Sequence, residues 1–292
     1  MNMQPRIFFL SFADSRMVSA AARLTAQAQA MQFFDEIHIL NEHNLDADFY
    51  AHHRHLMTPT VRGFGYWLWK PHIIRTQLEK LQENDILIYC DAGCHLNPKG
   101  MAKLEEYISK LQADALGVKA FPVCASWIDV YEKRWTKGDI FSYFDCRDNR
   151  EITESAQIAA TQIYIRKCQA SMDFVTEWES ICCSNIALID DSRSKTPNSV
   201  FFLDNRHDQS LFSVLFKLRG GVAFPAGETD LPKTAVLDKF PIWNSRDKGV
   251  KDKRLHARLQ RNLKAKLLKL RLKWQPIKCR IITALSRGVK PF

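Results

Sequence analysis

The sequence predicts an α/β fold in which a mixed, mostly parallel sheet is flanked by helices. Short apolar segments of strand length alternate along the chain with segments whose apolar residues recur at helical spacing, an alternation typical of doubly wound sheets. One of these strands ends abruptly in an acidic residue, at the edge where open α/β sheets bind ligands. The chain has 292 residues, 46% of them hydrophobic and 25% charged, so it can bury a core of its own.

The first half of the chain opens with a strand-helix-strand pattern. The first strand is apolar and leads into short polar residues, and the helix after it is rich in alanine. Pro71 suits the first turn of a later helix, where the missing amide hydrogen is not needed. The predicted strands span residues 6–12, 36–40 and 85–90, and the predicted helices span residues 19–33 and the segment from Pro71 through Ile74, Leu78 and Leu81.

The second half begins with a predicted helix cap. Asn97 and Pro98 have the residue types of a cap and a first helical position, and Met101, Leu104, Ile108 and Leu111 form the apolar stripe that follows. Residues 189–205 are polar and rich in turn formers, which indicates a loop. The remaining predictions are strands at 116–123, within 154–166 with an end near Ile165, and at 222–224, a helix carrying Met172, Val175 and Trp178, and a helix that begins at residues 207–209 and ends at Gly220-Gly221.

The positive charge of the chain is concentrated at one end. Residues 248–292 hold 15 lysines and arginines against one acid, whereas residues 1–247 hold 27 bases and 31 acids. We therefore predict two parts, a folded body at 1–247 and a basic tail at 248–292. An acidic body argues against nucleic acid as the partner of the fold itself.

The tail has the pattern of a basic amphipathic helix. Leucines recur at spacings of four and three among lysines and arginines, which is typical of a helix lying on an anionic membrane surface. Packing of the stripe on the body and nonspecific nucleic-acid binding are the alternatives. The leucines are Leu255, Leu259, Leu263, Leu267 and Leu270.

The compartment predicted from the sequence is the cytoplasm, at the inner face of the cytoplasmic membrane. No apolar run approaches the roughly 18 residues of a membrane span, and the first residues lack the pattern of a secretory signal. The eight cysteines contain no Cys-x-x-Cys pair, so neither a disulfide framework nor a zinc site is indicated.

Asp91 is the first candidate site residue. It follows an apolar strand directly and is itself followed by Ala92-Gly93, which places a carboxylate at the ligand-binding edge of the sheet. Such a carboxylate suits a divalent cation that neutralises a diphosphate. The structural alternative is that Asp91 caps a turn in which Gly93 supplies a positive φ.

An aromatic-rich turn precedes the helix that leads to this strand. It reads Gly-Phe-Gly-Tyr-Trp-Leu-Trp-Lys-Pro over residues 63–71, and the strand and its end read Asp-Ile-Leu-Ile-Tyr-Cys-Asp-Ala-Gly-Cys over residues 85–94. This combination resembles the GT-A-fold glycosyltransferases that depend on sugar nucleotides and occur in bacterial lipopolysaccharide and capsule biosynthesis. The resemblance covers roughly residues 5 to 230. It implies a GT-A-like fold and a nucleotide-sugar donor.

The resemblance also implies roles for single residues. Asp91 matches the first carboxylate of the Asp-x-Asp motif that binds Mn²⁺ or Mg²⁺ and the donor, and Gly93 stands where the second would be. Two-carboxylate chelation is therefore lost, and a second ligand has to come from elsewhere, such as Asp204 or His207. Ser11 and Asp14 follow the first strand, where enzymes of this family typically contact the nucleoside.

The aromatic turn supplies further donor-binding candidates. Lys70 offers a point charge for a phosphate, while Tyr66, Trp67 or Trp69 can stack on a base or a sugar face. The commoner fate of buried tryptophans is core packing, and we expect at least one of Trp67 and Trp69 to be structural.

His207 and Asp208 are the catalytic candidates. They open a predicted amphipathic helix, whose N-terminus favours anions, and the resemblance implies that such an element lines the acceptor site. Asp208 is the candidate general base for an acceptor hydroxyl. Capping of the helix is the structural alternative for this residue.

The function these patterns predict is transfer of a sugar from a nucleotide donor to a hydroxyl of a surface glycan, as in lipopolysaccharide, O-antigen or capsule. A nucleotidyltransferase acting on sugar phosphates is the nearest enzymatic alternative, because it also places a carboxylate at a strand end. Residues 11–16 do not form the glycine- and arginine-rich triphosphate loop that it normally carries. A nucleic-acid-binding protein that uses the basic tail is the non-enzymatic alternative.

Overall fold

Five strands form the central sheet of the protein. The structure is a computed structural model that describes residues 4–124, 130–229 and 238–247. The strands of this sheet are β1 (Ile7–Phe12), β2 (Glu36–Leu40), β3 (Ile86–Cys90), β5 (Val118–Pro122) and β6 (Ile158–Arg166).

The sheet has the strand order β2-β1-β3-β6-β5. β1 pairs in parallel with both β2 and β3, whereas β6 runs antiparallel to its neighbours β3 and β5. Four strands therefore point one way and β6 points the other. The predicted class, a mixed and mostly parallel α/β sheet, is confirmed.

Helices cover both faces of the sheet. They lie in the connections between successive strands and in the segment after β6. In chain order they are α1 (Val18–Met31), α2 (Ala47–His53), α3 (Gly63–Tyr66), α4 (Trp69–Glu79), α5 (Met101–Gln112), α6 (Glu132–Trp135), α7 (Gly138–Tyr143), α8 (Arg150–Thr153), α9 (Gln169–Ser184), α10 (Ile186–Ile189) and α11 (Asp208–Leu218), with 3₁₀ turns at Ser15–Met17 and Pro98–Gly100.

The central strand β3 shows why both faces are covered. Its five residues are all buried, and alternate residues point to opposite faces. Leu87 and Tyr89 join a core with α4, α9 and α11. Ile86 and Ile88 join a second core with α1 and α5. A strand buried on both sides reads as an unbroken apolar run, which is the pattern the sequence shows here.

A second, two-stranded ladder ties the end of the described chain to the sheet edge. β4 (His95–Leu96) pairs antiparallel with β7 (Ile242–Trp243). Asn97 Nδ2 donates to the Phe240 carbonyl oxygen at 3.1 Å. The segment after β7 thereby lies over the turn that follows β3, which matters for the site described below.

Most of the predicted elements are confirmed. The first two strands, the alanine-rich helix, the helix at Pro71 and the helix from residue 208 all form within a few residues of the expected bounds. Asn97 does act as a cap, since its side chain accepts from the Lys99 amide. Residues 190–207 contain neither helix nor strand, as expected of a loop.

The prediction of a strand at residues 222–224 is wrong. This segment makes one sheet-like hydrogen bond, from the Phe224 amide to the Ala120 carbonyl oxygen at 2.9 Å. Pro225 follows and has no amide hydrogen with which to extend a ladder. Phe224 is instead held by aromatic packing against Tyr107 and Phe121, with ring centroids 4.6 and 4.9 Å away.

The predicted tail, residues 248–292, lies outside the described residues. Within the described ranges, no helix combines the length and apolarity that crossing a bilayer requires. The boundary between body and tail stays a prediction.

Candidate functional site

The site is built around the carboxyl end of β3. Asp91 is the first residue after this strand, and its amide donates to the Thr161 carbonyl oxygen of the neighbouring strand β6 at 2.9 Å. The Tyr89 hydroxyl donates to Asp91 Oδ1 at 2.7 Å. The Asp91 side chain is 33% exposed. One carboxylate oxygen is therefore held by the protein, while part of the group faces solvent.

Lys70 lies beneath this carboxylate. Its side chain is only 3% exposed, although an isolated buried ammonium is strongly unfavourable. Nζ donates to the Ala160 carbonyl oxygen at 3.0 Å and lies 3.2 Å from Asp91 Oδ1 and 2.9 Å from Asp208 Oδ2. Burial alone would lower the pKa of Lys70, but Asp208 and Asp91 outweigh it and the pKa is raised. Lys70 is therefore a permanently charged bridge between two carboxylates.

Asp208 is the buried member of the pair. It is the first residue of α11 and is 3% exposed. Its Oδ2 lies 2.9 Å from Lys70 Nζ, which makes the contact a buried ion pair. Burial raises the pKa of Asp208 to about 6, against the opposing effect of Lys70.

The raised pKa of Asp208 predicts a pH dependence of stability. The folded state holds a proton on this group that an unfolded chain, with its pKa near 3.8, has released. The contribution of Asp208 to the free energy of unfolding therefore falls as pH rises from about 4 to about 6, by at most about 3 kcal/mol. We expect the unfolding free energy of the wild type, minus that of Asp208→Asn, to decrease over this range in urea titrations. If the difference between the two unfolding free energies stays constant over this pH range, the raised pKa of Asp208 is contradicted.

The aromatic turn that carries Lys70 has an unusual backbone. All residues from Gly63 to Trp67 have positive φ, between 54° and 93°. The three non-glycine residues among them each cost roughly 1–2 kcal/mol in this left-handed region. Strain of this kind persists only where the surroundings enforce it, and it is concentrated at functional sites.

Packing of the tryptophans enforces the turn. The Trp67 ring lies flat on Gly63, where an added Cβ would stand 2.3 Å from Trp67 Cδ2. Trp69 is buried, stacks on Phe12 at 4.0 Å and donates from Nε1 to the Gly63 carbonyl oxygen at 3.0 Å. Trp69 thus contributes to the core in this structure, and its predicted stacking on a donor stays a prediction.

His207 packs on the same turn. Its ring centroid lies 5.5 Å from that of Tyr66 and 5.4 Å from that of Trp67, and its own backbone is also strained, with φ 59° and ψ −129°. Nδ1 lies 2.6 Å from the Ile189 carbonyl oxygen, so the proton sits on Nδ1. Burial lowers the pKa of His207 and favours the neutral ring. Nε2 is buried and unpartnered within the described residues, 3.7 Å from Asp191 Oδ1.

The other predicted site residues lie at the same edge. Ser11 is fully buried and donates to the Cys90 carbonyl oxygen at 2.6 Å. Asp14 is buried, caps the 3₁₀ turn after β1 and pairs with Arg16. Both residues have structural contacts here, and their predicted contact with a nucleoside stays untested.

Gly93 does not have the positive φ that the turn interpretation supposed. The residue is needed for a close approach instead. A Cβ there would lie 3.2 Å from Arg246 Cα, and the Gly93 carbonyl oxygen accepts from Ser245 Oγ at 2.6 Å and from the Asp247 amide at 3.0 Å. Glycine at this position lets the segment after β7 cross the Asp91 turn.

The residues present give a divalent cation limited support. Asp91 Oδ1 is already shared by Lys70 and Tyr89. In the part of the chain that the structure describes, no three histidines, cysteines or acids are grouped as metal ligands. Mg²⁺ is nevertheless commonly held by one or two carboxylates, substrate phosphates and waters. Asp91 fits that role with its exposed oxygen, and a second protein ligand is not in place.

Sequence reasoning missed several residues of this site. Tyr89 lies two residues before Asp91, and the strand period of two would have placed both on one face. Arg62 lies 3.4 Å from Asp191 and 3.9 Å from Asp204 and so links the turn to the loop at 190–205. No sequence pattern indicates this link, because the three residues are distant along the chain.

Comparison with known proteins gives structural likenesses only. No family model matches the sequence, and no curated protein sequence matches it. Among solved structures, galactosyltransferase LgtC in complex with donor and acceptor sugar analogs is 10% identical, with a TM-score of 0.41 over 81% of this chain and 86% of that one.

Two further solved structures show a similar degree of likeness. Mouse xyloside xylosyltransferase 1 is 8% identical, with a TM-score of 0.45 over 83% of this chain and 97% of that one. A glycosyltransferase involved in glycosylation of the major capsid of PBCV-1 is 14% identical, with a TM-score of 0.36 over 61% of this chain and 66% of that one. At such scores the function has to be inferred from the site of this chain itself.

Proposed function

We propose that the protein transfers a sugar from a nucleotide-sugar donor to a hydroxyl of a glycan acceptor. The observation that carries the proposal is the buried Lys70 bridge between Asp91 and Asp208 at the carboxyl edge of the parallel strands. This edge is where open α/β sheets bind nucleotides. In the reaction, the acceptor oxygen bonds to the anomeric carbon, the bond from that carbon to the diphosphate breaks, and a base takes the hydroxyl proton.

A cavity next to Asp14 supports a place for the nucleoside. It has a volume of about 310 Å³ and opens where β1 and β2 end, within the range of small-ligand pockets. Its lining includes both apolar and polar residues, which suits a base and a ribose. It is lined by Ala13, Ser15, Val18, Ala21, Ile39, Leu40, Asn41, Glu42 and His43.

A second cavity supports a place for the acceptor. Its volume is about 350 Å³, and it is bounded by the loop that leads to His207 and Asp208. Asp191 lines this cavity and lies 3.7 Å from the unpartnered His207 Nε2. A polar cavity with carboxylates suits the hydroxyls of a sugar. Asp208 stays our candidate base, since a carboxylate with a pKa of about 6 is mostly ionised at neutral pH.

Calorimetric titration of the purified protein with UDP, GDP and CMP tests the proposal. Each nucleotide is added with and without Mn²⁺, to the wild type and to Asp91→Asn. We expect one nucleotide to bind saturably. In the presence of Mn²⁺ we expect the substitution to weaken that binding about tenfold or more, because it removes the carboxylate that would hold the cation neutralising the diphosphate. A metal requirement would support the role of Asp91 as a cation ligand.

Two outcomes of this titration would contradict the proposal. If none of the three nucleotides binds, the proposed nucleotide-sugar donor is contradicted. If Asp91→Asn binds the nucleotide as tightly as the wild type does, the nucleotide does not bind at Asp91. Asp48→Asn serves as the control, since Asp48 is an exposed acid in the first turn of α2. Turnover of a bound nucleotide sugar should be lost in Asp208→Asn while nucleotide binding persists.

The finer assignment to a lipopolysaccharide, O-antigen or capsule acceptor rests on the resemblance carried by residues 63–71 and 85–94, and the proposed membrane surface rests on the sequence of the tail. A net charge of +14 over residues 248–292 would attract anionic lipid, each basic residue contributing about 1 kcal/mol near the surface. We expect deletion of residues 250–292 to release the protein from anionic liposomes in sedimentation assays. Full retention of the truncated chain would refute membrane binding by the tail.

A further inference from the structure

The Asp91 turn, residues 91–94, is held by an arginine of α1. Arg23 Nη2 donates to the carbonyl oxygens of Ala92 at 2.9 Å and of Cys94 at 3.2 Å. The turn closes on itself through the Cys94 amide, which donates to the Asp91 carbonyl oxygen at 2.9 Å. Ala92 and Cys94 are buried. Removal of the guanidinium would therefore take a charged donor from two carbonyl oxygens of buried residues, which is costly.

The same guanidinium also holds the segment after β7. Its Nη2 donates to the Asp247 carbonyl oxygen at 3.0 Å, and its Nη1 lies 3.0 Å from Asp247 Oδ2. The Asp247 amide in turn donates to the Gly93 carbonyl oxygen at 3.0 Å. The Arg23 side chain is only 19% exposed, so water and salt screen its contacts less than those of a surface pair. One side chain thus ties the Asp91 turn to the segment that crosses it.

Gln27 holds the end of the turn from the same face of α1. It lies four residues after Arg23, so both side chains project on one side of the helix. Its Oε1 accepts from the Leu96 amide at 3.1 Å, which fixes the orientation of the side-chain amide. Its Nε2 then faces His95 Nδ1 at 3.3 Å, so a neutral His95 carries its proton on Nε2, 2.9 Å from Asp247 Oδ2. The turn is therefore fixed to a rigid helix at several points.

Arg23 and Lys70 approach Asp91 from opposite faces of the sheet. α1 packs on the core that contains Ile88, whereas α4, which carries Lys70, packs on the core that contains Tyr89. Lys70 and Tyr89 contact one oxygen of the Asp91 carboxylate, Oδ1. Arg23 instead fixes the backbone that follows. The direction of the second carboxylate oxygen therefore depends on how firmly the turn is held.

We propose that Arg23 is a positioning residue for Asp91, whose guanidinium fixes the turn so that the second carboxylate oxygen points towards the bound ligand. This inference rests on the proposed function, in which Asp91 meets the donor or its cation. The guanidinium suits the task because its separate nitrogens serve the turn and Asp247 at once. A turn that is already fixed does not have to be ordered when a ligand binds. Arg23 touches no ligand itself, so its removal should act through Asp91.

Hydrogen exchange of the full chain tests the hold on the turn without any ligand. In Arg23→Gln we expect the backbone amides of residues 92–96 to exchange about tenfold faster or more, because charge-assisted hydrogen bonds to the turn are lost. Arg166→Gln is the matched control. Arg166 Nη2 also donates to a backbone carbonyl oxygen, of Asp114, at 2.9 Å, but it pairs with Ile86 at the other end of β3. Its replacement should leave exchange at 92–96 unchanged.

Arg23→Lys is a second variant that keeps the charge and the aliphatic stem, in case Arg23→Gln does not fold. A lysine ends in a single nitrogen, which cannot serve the turn carbonyls and the Asp247 carboxylate together. We expect the amides of residues 92–96 to exchange about threefold faster or more in this variant. Wild-type exchange at 92–96 in the Arg23 variants would overturn the proposal. Equal acceleration in Arg166→Gln would trace the effect to general destabilisation and would overturn it as well.

A double-mutant cycle on nucleotide affinity shows whether Arg23 acts through Asp91. The probe is the nucleotide among UDP, GDP and CMP that binds the wild type in the presence of Mn²⁺. We expect Arg23→Gln to weaken this binding about tenfold in the wild type and to weaken it no further in Asp91→Asn, because the carboxylate that it positions is then absent. A purely structural role would give additive losses, and that result would overturn the proposal.

The two measurements separate this inference from the proposed function. Faster exchange at 92–96 in the Arg23 variants, without binding of any nucleotide to the wild type, would uphold the role of Arg23 in fixing the turn and contradict a nucleotide-sugar donor. Nucleotide binding that depends on Asp91, together with wild-type exchange in both Arg23 variants, would uphold the donor and overturn the role of Arg23.

Discussion

Lys70→Met should lower the free energy of unfolding by about 3–5 kcal/mol at pH 7.5 and abolish transfer. The substitution preserves much of the side-chain volume but leaves Asp91 and Asp208 facing each other without the ammonium between them. Removing one partner of a buried ion pair leaves an uncompensated charge, which accounts for the magnitude. Urea unfolding, followed by tryptophan fluorescence, measures the loss. The loss should shrink towards pH 5, where Asp208 takes up a proton.

A double-mutant cycle shows whether the charge itself is the cause. In Lys70→Met/Asp208→Asn the buried carboxylate is gone, so the double variant should be more stable than the sum of the single losses predicts, by about 2 kcal/mol or more. Strictly additive losses would contradict the ion-pair account.

Lys119 provides a matched control for this substitution. It is a buried lysine 2.9 Å from Asp114 Oδ2 that also donates to a backbone carbonyl oxygen, of Val222, at 2.9 Å. Lys119→Met should also destabilise the fold, since it leaves Asp114 unpaired. It should leave nucleotide affinity unchanged, because none of its partners belongs to the site. Loss of affinity in both variants would mean that binding responds to general destabilisation.

The order of strands and helices could be read from the sequence because each depends on local patterns. The buried strand β3 reads as an apolar run, and α11 shows its apolar residues at helical spacing. The prediction of a strand at residues 222–224 failed because a strand needs a series of backbone hydrogen bonds to a neighbouring strand as well as apolar residues. Pro225 prevents that ladder, as its missing amide hydrogen already indicated.

The candidate site could be read only in part. Asp91 and Lys70 were found because they lie at marked boundaries, a strand end and a helix start. The contact of Lys70 with Asp208 joins residues 138 positions apart, and no local sequence pattern indicates it. The left-handed backbone from Gly63 to Trp67 was equally hidden, since two glycines alone do not predict positive φ at the aromatic residues beside them.

Gly63→Ala should destabilise the protein by about 3 kcal/mol or more and weaken ligand binding. An alanine at φ +63° costs about 1 kcal/mol by itself. Its Cβ would also stand 2.3 Å from Trp67 Cδ2, so the indole has to leave its place. Trp67 packs on His207, and Asp208 follows directly, so the displacement reaches the buried ion pair. Urea unfolding and nucleotide titration measure the two effects.

Gly220→Ala separates the clash from the backbone strain. Gly220 has a similar φ of +74°, and no atom lies within 4 Å of an added Cβ in the part of the chain that the structure describes. This variant should lose only about 1 kcal/mol and keep its ligand affinity. The difference between the two alanine variants then measures the contact between Trp67 and Gly63. Equal losses would mean that the indole moves freely, and the aromatic turn would no longer account for the position of His207 and Asp208.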